Sequence, residues 1–124
     1  LDTSETENRM ERSFDFVILL DIYGELLAKA QREALDMRYN ADLSLAEIAE
    51  EMGGITRQSV AYSIRKGEQK LEELEEKLGF ARRLRELSGE LETARGIVDE
   101  MKQEHSDERL DRLSGILSEV RRGL

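Results

Sequence analysis

A chain of 124 residues bounds a single domain, or a small domain with a helical appendage. It contains no cysteine, which excludes disulfides, thiolate chemistry and zinc ribbons. Its longest unbroken apolar run, Phe16–Leu20, is far too short to span a bilayer. No proline, and 38% charged residues mixed with 39% hydrophobic ones, favour an all-α soluble protein. No secretory signal pattern is present, so a cytoplasmic location with no membrane insertion is expected. The chain opens on Leu1 rather than methionine, and an upstream start is expected.

Taken in order, Asp2–Glu7 reads as a polar, frayed tail. A first helix is predicted from about Asn8 to Tyr23, with Gly24 in the C-terminal cap position. Its residues Met10, Phe14, Phe16, Val17, Ile18, Leu19, Leu20 and Ile22 cover more than one stripe. Such a helix is either the core of a small bundle or a face shared with a partner. A second helix is predicted over Ala28–Tyr39, with Leu27, Ala30, Ala34 and Met37 inward. Gln31-Arg32-Glu33 reads as a solvated face.

The next stretch, Leu43–Lys70, organises the rest. Ser44 and Glu47 form a Ser-x-x-Glu capping box, Leu43 can staple onto Ile48, and Gly53-Gly54 stops the short helix. Thr56 caps a longer helix whose inward positions Val60, Ile64, Gly67 and Leu71 recur at spacings of four, three and four. Two helices joined by a glycine turn, with small Ala49 allowing close packing, make a helix-turn-helix spanning about residues 44–78. The turn Gly53-Gly54-Ile55-Thr56 is one residue longer than the commonest form. That extra residue could rotate or displace the second helix relative to the first. Leu71, Leu74, Leu78 and Ala81 extend the inward seam.

The last third differs. Leu84, Leu87, Leu91, Ala94, Val98 and Met101 form a heptad seam, interrupted by Gly89 and Gly96 and out of phase with the preceding one. A bend or reversal is therefore expected near Gly79. Gln103–Asp107 breaks the pattern, Ser106 can cap again, and Leu110, Leu113, Leu117, Val120 and Leu124 mark a final helix. The expected organisation is a helix-turn-helix domain over residues 1–79 and a C-terminal helical hairpin or coiled-coil extension over 80–124.

Catalytic readings find little support. His105, the only histidine, falls in an expected loop, and no Cys/His pair, serine–base pair or phosphate-binding loop is present. The carboxylates Glu72, Glu73, Glu75 and Glu76 read as a solvated helix face rather than a metal site. No catalytic residue, cofactor or metal is expected, and the chain is not read as an enzyme.

Charge then singles out one element. The net charge is −9, and residues 1–56 carry 13 acidic against 5 basic groups. Residues 57–70 carry Arg57, Arg65, Lys66 and Lys70 against Glu68 alone. Only this helix has the sign a phosphate backbone attracts.

The run LSLAEIAEEMG followed by ITRQSV resembles the helix-turn-helix of region 4 of bacterial sigma factors. The wider run resembles the YlxM family of small bacterial proteins over residues 8–79, with weaker similarity beyond. It carries Asn8-Arg9-Met10, Tyr23-Gly24-Glu25-Leu26-Leu27 with Gln31, the block Tyr39–Glu50, and Arg57-Gln58. Two departures stand out: Ala28 replaces the family's usual Ser or Thr, and the turn carries the extra glycine.

The resemblance implies a non-enzymatic accessory or regulatory protein of the signal recognition particle pathway, encoded beside that particle's GTPase. Such a protein would bind a protein or ribonucleoprotein partner. The candidate recognition residues are Thr56, Arg57, Gln58, Ser59, Tyr62, Arg65 and Lys66, with Thr56 acting through its hydroxyl and the nearby amides. A rival reading is a sequence-specific DNA-binding transcriptional regulator, since arginine and glutamine reach guanine and adenine edges; the net charge disfavours it. A third is a structural dimer module. A homodimer is expected from the apolar excess of the first helix and the seam Leu84–Met101.

Overall fold

The computed structural model describes residues 16–124, and within them the regular elements are helices. The expected tail, the start of the first helix, Met10 and Phe14 lie outside the described residues. The helices are α1 (residues 16–23), α2 (Lys29–Tyr39), α3 (Leu45–Glu51), α4 (Arg57–Leu78), α5 (Phe80–Glu104) and α6 (Glu108–Arg122). They fall into two compact units, one running through Ala81 and the other Arg82–Leu124.

The first unit is built around α1 and α4. Phe16, Leu19, Leu20 and Tyr23 of α1 are buried, and Ile18 and Ile22 pack half-buried against the same cluster. Most of the apolar surface of the described part of α1 is thus used internally. Gly24 is not a left-handed cap. It opens a 3-10 turn, Gly24–Leu26, closed by the Leu27 amide donating to the Gly24 carbonyl at 3.1 Å. Ala28 stands at the N-cap of α2 and supplies no side-chain cap.

The inward face of α2 is rotated from expectation. Leu35 is fully buried and Gln31 half-buried, while Ala30 faces solvent. The cause lies on α4. A Cβ placed on Gly67 would lie 2.6 Å from Leu35 Cδ1 and 3.4 Å from Gln31 Cβ. Glycine lets the two helices approach until Leu35 occupies the space a side chain would fill.

α3 begins with a complete capping box. Ser44 Oγ accepts from the Glu47 amide and Glu47 Oε1 accepts from the Ser44 amide, both at 3.1 Å. Ile48 and Ala49 bury against α4, and Leu43 packs half-buried on the same cluster. In the turn, Gly53 and Gly54 have φ of 90° and 84°, so both need the left-handed region that glycine alone enters without strain. The Gly54 amide donates back to the Ala49 carbonyl at 2.9 Å. Two left-handed residues in succession absorb the extra length, and the inward register of α4 is kept: Val60, Ile64, Gly67 and Leu71 are the buried residues.

α4 ends at Gly79 in the left-handed conformation, φ 66°. Leu78, expected on the seam, is exposed. Tyr23, 1% exposed, anchors the junction of α4 and α5. Its hydroxyl donates to Glu75 Oε1 at 2.7 Å and accepts from the Phe80 amide at 3.2 Å. Glu75 Oε1 also accepts from the Ala81 amide at 3.0 Å, and the Phe80 ring stacks on Tyr23. The first amides of α5 are therefore capped by side chains from α1 and α4.

The second unit is a helical hairpin. α5 runs unbroken past Gly89 and Gly96 to Glu104, a loop of His105–Asp107 follows, and Asp107 rather than Ser106 caps α6 through the Arg109 amide. Ser114 donates to Asp99 at 3.2 Å, Lys102 pairs with Asp111 at 2.9 Å, and Arg121 reaches Ser88 and Glu92. Those pairs set the two helices antiparallel.

Candidate functional site

The candidate site is the outward face of α4, held by three local features. Thr56 Oγ1 accepts from the Ser59 amide at 3.0 Å, which fixes where α4 begins, and donates its own proton to Ser59 Oγ, also at 3.0 Å. Ser59 thus keeps its hydroxyl proton to offer outward. Buried Val60, Ile64, Gly67 and Leu71 set the helix rotation. At about 100° per residue, Gln58, Tyr62 and Arg65 then fall on one stripe opposite the core. Arg57 lies to one side of it, and Ser59 and Lys66 to the other.

All seven sequence-derived residues, Thr56, Arg57, Gln58, Ser59, Tyr62, Arg65 and Lys66, are exposed. Tyr62 is 56% exposed, and Lys66 Nζ stands 5.7 Å from its ring centroid. That cation–π contact pairs the two side chains on the exposed face. Two further residues belong to the same surface. Gln69 continues the stripe of Tyr62 and Arg65, and Ile55, 38% exposed, presents an apolar edge beside the cap. Gln69 follows from the same helical spacing; no sequence signal marks Ile55.

The face is electrostatically available. Among the described residues no carboxylate pairs with Arg57, Arg65 or Lys66, whereas Arg83, Arg95, Lys102, Arg109, Arg121 and Arg122 of the hairpin all sit in ion pairs. Cationic and amide side chains around an exposed aromatic ring can bind anionic, hydrogen-bonding or planar groups. They provide no nucleophile–base pair.

Elsewhere the chemistry is sparse. Among the described residues no cluster of three or more His, Cys, Asp or Glu could hold a metal, and no helix is long and apolar enough to cross a membrane. His105 lies in the α5–α6 loop, on an open depression of about 680 Å³ lined also by Met101, Glu104, Asp107, Arg109 and Leu113.

Comparison with known proteins is consistent with this architecture. Residues 10–113 match the family model UPF0122, described as "Putative helix-turn-helix protein, YlxM / p13 like". A UPF0122 protein of Clostridium kluyveri is 40% identical over 107 residues, 86% of this chain and 93% of that one. One from Acetivibrio thermocellus is 46% identical over 71 residues, 57% of this chain and 60% of that one. One from Clostridium perfringens is 32% identical over 111 residues, 84% of this chain and 97% of that one. The glycine-turned helix pair, its capped second helix and the extent of these matches converge: the chain belongs to the UPF0122 family of YlxM-like helix-turn-helix proteins.

Proposed function

We propose that this chain is a non-enzymatic, cytoplasmic binding protein that presents the outward face of α4 to a protein or ribonucleoprotein partner. By its resemblance to YlxM proteins, that partner is the signal recognition particle. The observation that carries the reading is the availability of Arg57, Arg65 and Lys66, together with Tyr62, on an otherwise acidic chain. Capture from cell lysate on immobilised chain, with and without nuclease, tests it. Recovery of the particle's protein, weakened by Arg57→Glu with Arg65→Glu, supports it; recovery of genomic DNA alone contradicts it.

One observation favours a second reading, sequence-specific transcriptional regulation. Arg57 and Gln58 occupy the first two positions of α4, where a groove-docked helix offers side chains to base edges. Charge opposes it. The 13 acidic against 5 basic groups on residues 1–56 repel a duplex that α4 attracts.

A further inference from the structure

Residues 82–124 fold as a hairpin with almost no interior. Of its side chains only Val98 is buried, at 6% exposure, and α6 has no buried residue. One face of α6 is turned to α5: Leu110 and Leu117 are half-buried there, and Ser114 and Arg121 bond across to Asp99, Ser88 and Glu92. A second apolar stripe, along α6 and the residues just past its end, faces solvent. It comprises Leu113 at 42% exposure, Ile116 at 49%, Val120 at 50% and Leu124 at 46%, recurring at three, four and four. The stripe crosses onto α5 at Met101, which lines the same depression as Leu113 and is 43% exposed.

Charge says what covers this stripe. Residues 82–92 and 119–124 share the open end of the hairpin, and carry Arg82, Arg83, Arg85, Arg121 and Arg122 against Glu86, Glu90, Glu92 and Glu119. Residues 99–112 surround the turn, and carry Asp99, Glu100, Glu104, Asp107, Glu108 and Asp111 against Lys102, Arg109 and Arg112. One end is net positive and the other net negative. A second copy laid alongside in the same direction sets like charge over like; laid in the opposite direction, it sets each positive end over a negative turn.

We infer that the solvent-facing stripe Leu113–Ile116–Val120–Leu124 is the contact between two copies of this chain. Their hairpins pack antiparallel about a two-fold axis as a four-helix bundle. The arrangement is isologous, so one stripe and one charge polarity serve both copies. Four helices give the seam the enclosed core that two cannot. The inference is independent of the role assigned to α4.

The chain has no cysteine, so Ser106→Cys in the exposed α5–α6 loop takes a single spin label. Light scattering across micromolar to millimolar concentration is expected to give a dimer mass. The label pair should then lie about 35 Å apart, the length of α5 within the hairpin at about 1.5 Å per residue. Leu113→Glu with Ile116→Glu changes only exposed positions, and should return a monomer of unchanged helix content. A monomer at every concentration would overturn the inference, and so would a dimer that survives the double substitution. Labels within about 20 Å, two helix diameters, would overturn the antiparallel arrangement.

Discussion

Tyr23 of α1 and Glu75 of α4 lie 52 positions apart and share a 2.7 Å hydrogen bond from which the start of α5 is held. The Tyr23 hydroxyl accepts the Phe80 amide as it donates to Glu75. Tyr23→Phe keeps the ring and its stacking on Phe80 but removes both bonds, leaving an amide at the start of α5 without its acceptor. A loss of about 1–3 kcal/mol is expected. Urea denaturation followed by circular dichroism measures it; an unmoved midpoint would show that the pair is not the anchor.

The same hydroxyl gives a signature at high pH. Burial and the hydrogen bond to Glu75 raise the Tyr23 pKa, and burial with the bond to Glu68 raises that of Tyr39. In both, the folded state holds the proton more tightly than the unfolded chain, whose tyrosines titrate near pH 10. Their contribution is therefore complete below pH 10 and is lost as pH rises above it. Tyr39→Phe should flatten this alkaline fall. An equally steep fall in the variant, measured by denaturant unfolding at successive pH values, would contradict it.

At the α2–α4 crossing, Gly67→Ala should destabilise by about 1–3 kcal/mol through overpacking against Leu35, although alanine is the better helix former by about 1 kcal/mol. Leu35→Ala opens that space. The double variant should therefore lose less stability than the two single variants added together. A stabilised Gly67→Ala protein would mean that Leu35 yields freely.

The first turns of the motif carry their own signature. Ser44→Ala and Thr56→Ala each remove a side-chain acceptor for a helix amide, and each should cost about 1 kcal/mol. Thermal unfolding of the two variants and their combination checks this. Neither substitution touches the other's helix start, so the losses should add.

Those local features are where the fold was most legible in the sequence. The capping box at Ser44, the glycine pair, Thr56 and the spacing of Val60, Ile64, Gly67 and Leu71 each depend on residues within one or two turns, and each is found as expected. Long-range effects were not legible. Leu35 belongs to the core because Gly67 lacks a side chain, and α5 is capped by Tyr23 and Glu75 rather than by its own neighbours. At the candidate site, helical spacing alone aligns Gln58, Tyr62 and Arg65. The stacking of Lys66 on Tyr62 depends on side-chain rotamers that spacing does not specify.

In the proposed function, α4 serves a protein or ribonucleoprotein partner rather than duplex DNA. The direct measurement is a side-by-side titration of the full chain with purified signal recognition particle and with labelled genomic DNA fragments. At about 0.15 M salt the Debye length is about 8 Å, so long-range attraction by a few cations is screened. Each phosphate contact contributes a salt slope of only about −0.9, and α4 offers few cations to make such contacts. Measurable binding to the particle is expected, weakened by Arg57→Glu with Arg65→Glu, with weak, sequence-indifferent binding to DNA. Tight binding to one DNA sequence, with none to the particle, would contradict it and make this chain a transcription regulator.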